Sequence, residues 1–294
     1  MPLYVSCIEP WQDNRKRAYD SLLLMSQALE ILHSTGQNDF ETAFYDNLLL
    51  DFFELNNYSA DEVPYVFLPS GSPVLVFPLY PQRARSYLCG PLTSARRIVV
   101  PPNGKIFFVR LRVGGLKWLV KQSVASLSDQ VVPLNTFLVD AMQMQGELRK
   151  QNTFRQRCST FLNDLERCGA KEFCVDPMTQ ICVDMICERQ GIGRVYELAA
   201  AINRSERFLG SVFRDTTGMS MKKYFEIVKF KNSLSAILIS RPHVLTDVVR
   251  TYGYYDLPHM NRAYRTFLGY TASEVRYLNV EDLYVPELFH GGNF

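Results

Sequence analysis

The sequence predicts an α+β protein: a β-rich, barrel-like N-terminal domain, a helical connector, and an all-α C-terminal domain with two helix-turn-helix units. Three observations carry this. Residues 63–113 are rich in β-branched and aromatic side chains and are punctuated by Pro and Gly. Helical periodicity takes over after Gly114-Gly115. A repeat with an offset of 51 residues runs through the last third of the chain.

In chain order, AYDSLLLMSQALEILH (18–33) places Leu22, Met25, Leu29 and Leu32 at helical spacing, and Gly36-Gln37-Asn38-Asp39 breaks that helix. Residues 44–56 fit helix and strand equally. Strands are expected at 63–68, 73–79, 85–89, 96–100 and 105–113, separated by Ser70-Gly71, Gly90-Pro91 and Pro101-Pro102-Asn103-Gly104. Short strands with such turns suggest a small barrel or sandwich. Helices are expected at 136–149, 153–168 and 178–189, and Gly191-Ile192-Gly193 ends that stretch. The resulting division is a β-rich N-terminal domain (1–135), a helical connector (136–176), a helical C-terminal domain (177–277) and an acidic tail (278–294). The connector helices suit either packing within the chain or a homodimer interface.

With 294 residues, 47% hydrophobic and 21% charged, the chain is long enough for two domains and too apolar for wholesale disorder. No apolar run approaches about 18 residues, so no transmembrane helix is expected. Glu9 and Pro10 interrupt the N-terminus before a secretory signal could form; the expected compartment is cytoplasmic, with no membrane partner. Seven cysteines without CxxC spacing, and without nearby histidine pairs, suggest reduced thiols rather than a zinc site. No catalytic motif is visible, so neither an enzyme nor a cofactor is expected. Charge is uneven: residues 191–276 carry 13 Lys+Arg and 7 Asp+Glu, 13 − 7 = +6, whereas residues 1–148 carry 12 and 14, net −2. A local basic excess is the footprint of a polyanionic partner.

The repeat sits inside that basic block. FLGSVFRDTTGMS (208–220) aligns with HMNRAYRTFLGYT (259–271): Leu209 with Met260, Phe213 with Tyr264, Arg214 with Arg265, Gly218 with Gly269, Ser220 with Thr271. In the first copy Val195–Ile202 reads as a helix, Asn203-Arg204 as a turn and Ser205 as the N-cap of a second helix. Phe208, Leu209, Val212 and Phe213 are its expected buried stripe, and Gly218 its left-handed stop. In the second copy 246–252 is the helix, Gly253-Tyr254-Tyr255 the turn and Asp256 the N-cap. Met260, Ala263, Tyr264 and Phe267 form the stripe, and Pro258 is tolerated in the first turn. Met221–Ser240 joins the copies as one long helix, ended by Arg241-Pro242. Two such units on one spacer can read successive major-groove segments about 34 Å apart.

These residues resemble the AraC/XylS family of bacterial transcription regulators over about 100 positions, from the helix near 178 to Arg276. LAAAINRSERFLGSVFRDTTGMSMKKYF looks like the family's first helix-turn-helix, and VVRTYGYYDLPHMNRAYRTFLGYTASEVR its signature around the second. Departures are Tyr254, Met260 and Tyr264 for Phe, Ala272 for Pro, Val275 for an aromatic residue, and Leu257-Pro258 for a more polar pair. Residues 63–135 resemble, more weakly, a β-rich N-terminal domain of some such regulators. The resemblance implies double-stranded DNA as partner, a small-molecule effector or an oligomerisation role for the N-terminal domain, and RNA polymerase in the case of an activator. By position, base contacts fall on Arg207, Gly210 and Ser211, with Arg214 on the same helix; on the second, His259, Asn261, Arg262 and Arg265 are expected to be exposed. Lys222, Lys223, Lys229 and Lys231 of the spacer are expected to be solvated, with phosphate contact as the second reading.

Arg110 and Arg112 share a strand face with Ile106 and Phe108. Either that face points outward or lies at an edge, or it lines a barrel in which the arginines hold an anionic effector. The leading function is sequence-specific DNA binding in transcription regulation. The alternatives are a regulator that antagonises a relative through protein contacts, or an N-terminal enzyme with an appended DNA-binding module.

Overall fold

The β-rich segment forms strands β1 (Phe40–Phe44), β2 (Leu49–Asn56), β3 (Val63–Phe67), β4 (Val74–Pro78), β5 (Tyr87–Cys89), β6 (Arg96–Val100), β7 (Lys105–Leu111) and β8 (Val131–Pro133). The structure, a computed structural model, describes residues 40–44, 49–80, 85–167, 174–240 and 244–277. The expected helix at 18–33, its break at 36–39, the Arg241-Pro242 stop and the acidic tail lie outside the described residues. The segment 44–56, ambiguous by pattern, enters β1 and β2, because β2 buries both of its faces and has no helical stripe to bury on one side.

All pairings are antiparallel. One six-stranded sheet has the order β1-β2-β7-β4-β5-β8, and β3 pairs with β6 separately. The sheet is therefore open rather than closed into a barrel. Instead the β3-β6 ribbon covers one of its faces: Phe53, Leu55, Val74, Val76, Ile106 and Phe108 of the large sheet share a core with Phe67 and Val100 of the ribbon. The opposite face carries Phe52, Leu75, Phe77, Phe107 and Val109, and these pack under helices α1 (Ala141–Lys150) and α2 (Phe154–Arg167). Alternation along each strand produces this three-layer arrangement. Met144, Leu148, Phe154, Phe161 and Leu165 of the connector helices are buried here, so packing within the chain accounts for their apolar stripes.

Strand β7 lies between β2 and β4 and is neither an edge nor outward-facing. Arg110, 3% exposed, is held by Asp51 directly across the ladder: Nε donates to Oδ1 at 3.0 Å, and Nη2 bonds Oδ2. On the other face of β2, Arg157 of α2 forks onto Glu54 at 2.6 and 3.0 Å. A buried arginine is tolerated where a carboxylate pairs it in bidentate geometry. Between Gly114 and α1, helical expectation gives way to three 3-10 turns (Gly115–Trp118, Val124–Leu127, Leu134–Thr136) and β8, since Ser, Gly and Pro punctuate the segment too often for a longer helix.

The C-terminal helices are α3 (Pro177–Glu188), α4 (Val195–Ile202), α5 (Glu206–Thr217), α6 (Met221–Ser240), α7 (Leu245–Thr251), α8 (Leu257–Leu268) and α9 (Ala272–Val275). Their core also takes in Leu68 and Val113 from the β-rich part. Among the described residues, hydrogen bonds join the parts at helix C-termini, where carbonyls lack intrahelical partners. Ala95 N–H donates to Phe267 O at 2.7 Å, and Ser128 Oγ–H donates to Gly218 O at 3.1 Å. No described helix is long and apolar enough to cross a membrane.

Candidate nucleic-acid interface

The first unit is built as its sequence dictates. Asn203 takes a left-handed conformation (φ 53°), which turns the chain between α4 and α5. Ser205 Oγ accepts from Phe208 N–H at 3.2 Å and starts α5. Gly218 stops it at φ 78°, close against the β-rich part: a Cβ there would sit 2.8 Å from Ser128 Oγ and 2.9 Å from Val124 O. Leu209, Phe213 and Thr217 face the core. Phe208 does not: it is 47% exposed, because it lies about 100° around the helix from Leu209 and the stripe is one residue narrower than its composition suggests. Val212 is half-buried.

The second unit repeats the plan. Asp256 Oδ1 accepts from His259 N–H at 2.6 Å, and Gly269 ends α8 at φ 89°. Met260, Tyr264 and Phe267 are buried, and Ala263 packs against them. The departures Tyr254 and Tyr264 bury two hydroxyls where the family has none, and Ser233 of α6 meets both, at 3.3 and 2.9 Å. Burial raises the pKa of both tyrosines, Tyr264 well above the ordinary value, so both stay neutral hydrogen-bonding groups. Ala272 and Val275 are fully buried in the same core. Helix α6 carries the geometry between the units: Tyr224 packs on Phe213 at 5.6 Å and Phe230 on Tyr264 at 4.9 Å.

The expected contact residues divide into two groups. Arg207, Ser211 and Arg214 on α5, and His259, Arg262 and Arg265 on α8, are exposed. Arg207, Gly210, Ser211 and Arg214 line a groove of about 380 Å³ with Ser220 and Lys222 at the start of α6. Gly210 is half-buried, and a Cβ on it would meet nothing within 4 Å. Asn261, by contrast, is turned inward: its Oδ1 accepts from Ala272 N–H at 3.0 Å and satisfies the start of α9. Of the spacer lysines only Lys222 is exposed. Lys223 lies 4.3 Å over the Phe267 ring, and Lys229 donates to Gly253 O at 3.2 Å, its pKa lowered by burial. Lys231 is 2% exposed. Their spacing hid this, since α6 is wrapped by both units and has little solvent face. Ser233 was not singled out by sequence; the short repeat pointed to α5 and α8 and gave no signal for a shared partner of the two tyrosines on the spacer.

A model of the family described as a helix-turn-helix domain matches residues 198–277. The C-terminal region is an AraC-type helix-turn-helix domain. A second model, of a domain of unknown function (DUF6597), matches residues 49–133, which spans most of the strands ahead of the AraC-type domain. No protein with a curated description matches the chain. Among solved structures, the C-terminal domain of AraT, a response regulator from Geobacillus stearothermophilus, is 16% identical, covering 34% of this chain and 84% of its own, with a TM-score of 0.32. ToxT from Vibrio cholerae is 11% identical over 83% of this chain and 98% of its own, TM-score 0.41. ToxT with an unsaturated fatty acid bound is 12% identical over 84% and 99%, TM-score 0.38.

Proposed function

We propose that the chain is a transcription regulator that reads two major-groove segments of double-stranded DNA with α5 and α8, under the influence of its β-rich N-terminal part. The observation that carries this is the duplicated unit: two capped recognition helices, each burying one stripe against α6 and presenting arginines on the opposite face. Arg207 is assigned to base readout, because it projects from the first turn of α5 and its fork suits guanine O6 and N7. Arg214 and Arg265, one to two turns farther along their helices, are assigned to phosphates. His259 and Arg262 read from α8, and Asn261 supports them by fixing α9. Arg110 is committed to Asp51 and serves the sheet, so an effector of the N-terminal part does not rest on it. Effector binding, self-association through residues 136–176 and contact with RNA polymerase complete the reading for an activator.

The test is selection of DNA from a random pool by the full-length chain, followed by titration at several salt concentrations. If five or six phosphates are neutralised, log K against log[salt] falls with a slope of about −5. A slope near zero, or no enriched sequence, would sink DNA reading and favour the antagonist.

A further inference from the structure

The feature of α5 left unused by this reading is its most exposed large apolar side chain, Phe208. Its place is fixed rather than incidental. It sits in the first turn, its backbone N–H is held by the Ser205 cap, and its ring stands about 100° from the core-facing Leu209. Around the helix, Ser211 lies farthest from the core, with Arg207 on one flank and Phe208 on the other. On the Arg207 side, between that flank and the core, lies Gly210, which has open space where a side chain would be and, among the described residues, no neighbour that demands a glycine. A glycine inside a helix is destabilising, and an exposed phenyl ring gains nothing from water. Bared backbone on the Arg207 flank and a projecting ring on the other, to either side of Ser211, suit a surface that lies across this turn from outside.

Recognition helices enter the major groove by their N-terminal residues. There the one apolar feature on a base edge is the C5 methyl of thymine. A phenyl ring offers no hydrogen bond to phosphate or to the other base edges. We propose that Phe208 is a specificity-determining residue that reads a thymine methyl in the major groove beside the base contacted by Arg207. This deepens the DNA-binding reading and rests on it. The equivalent residue of α8, His259, differs in kind. Its Nδ1 accepts from Tyr255 N–H at 3.3 Å, which leaves the proton on Nε2 as a donor. The two helices thus place an apolar reader and a polar reader at the same helical position.

The experiment uses the full-length chain and the site it selects from the random pool. Each thymine is replaced singly by deoxyuridine, which pairs identically and lacks only the methyl. At one position near the α5 half of the site, the replacement should weaken wild-type binding about three- to tenfold. Phe208→Ala should bind the intact site more weakly by a similar factor and be indifferent to that replacement, while His259→Ala keeps the wild-type sensitivity. Circular dichroism and an unchanged salt slope establish that Phe208→Ala is folded and docked. A wild-type chain insensitive to deoxyuridine at every position overturns the assignment, as does equal sensitivity in Phe208→Ala. Loss of transcriptional output with unchanged DNA binding in Phe208→Ala would give the ring to a protein partner and overturn it too. In those cases DNA reading stands; a selection that enriches no sequence removes both.

Discussion

The two helix-turn-helix units share a scaffold and differ in what surrounds it. Ser205 and Asp256 cap, Leu209 and Met260 anchor, Phe213 and Tyr264 fill the core, and Gly218 and Gly269 stop the helix at nearly equal φ. Yet the Gly218 turn is wedged against Val124 and Ser128, whereas a Cβ on Gly269 would meet nothing within 4 Å. Position 210 is bare, whereas its counterpart Asn261 is drawn inward to the start of α9. The scaffold tolerates substitution wherever volume and capping are kept. The differences lie where each unit meets something else: the stop of the first is wedged against the β-rich part, while the second holds α9 through Asn261 and accepts from Ala95 at Phe267 O.

Substitution of the two stop glycines would break the comparison most sharply. Gly269→Ala places a Cβ in a left-handed residue with open space and should destabilise by about 1–2 kcal/mol in urea unfolding. Gly218→Ala adds a clash with backbone at Val124 and should cost about 3 kcal/mol or more. Equal losses would mean that the contact with the β-rich part yields freely. On DNA, Arg207→Ala should cost about 1–3 kcal/mol on the selected site and relax preference at one base pair, while Arg265→Ala weakens all sequences alike. Binding to single-base variants of the site checks this; uniform weakening by Arg207→Ala would reassign it to phosphate. Ser233→Ala strips the shared partner from the Tyr254 and Tyr264 hydroxyls and should cost about 1–2 kcal/mol by thermal unfolding. The smallest effects have opposite signs. Gly210→Ala should stabilise by about 0.5–1 kcal/mol while weakening DNA binding, and Asn261→Ala should destabilise by about 1 kcal/mol through the lost cap on α9. A destabilising Gly210→Ala would show that the bare position serves the fold.

Local features were legible in the sequence and long-range partners were not. The five strands expected between 63 and 113 and the helices of both units lie within a few residues of their observed places, because turn residues, caps and stops act over three or four positions. Strand order was not accessible: β2 pairs with β7 some 50 residues away, and nothing in either strand names the other. Arg110 looked outward or effector-facing because Asp51 lies 59 residues upstream. Phe208 looked buried because composition assigns phenylalanine to the core, while helix angle puts it outside. Asn261 looked free because its partner, Ala272, belongs to the next helix. The docking of Leu68, Val113, Ala95 and Ser128 on the helical domain left no local trace either. A fragment from about residue 175 therefore exposes apolar surface that the intact chain covers.

The charges on β2 bear on how the sheet finds its alignment. Strand β2 carries Phe52 and Phe53 on opposite faces, and β7 carries Phe107 and Phe108 in the same way. A slip of one residue turns a strand over, but here it would exchange one phenylalanine for another, so hydrophobicity scarcely distinguishes the slipped sheet from the native one. The carboxylates do. Turned over, Asp51 would face the helices and Glu54 the β3-β6 ribbon, leaving Arg110 and Arg157 opposite phenyl rings. Each buried charge so stranded costs about 3–5 kcal/mol, enough to make a near-degenerate choice between alignments decisive.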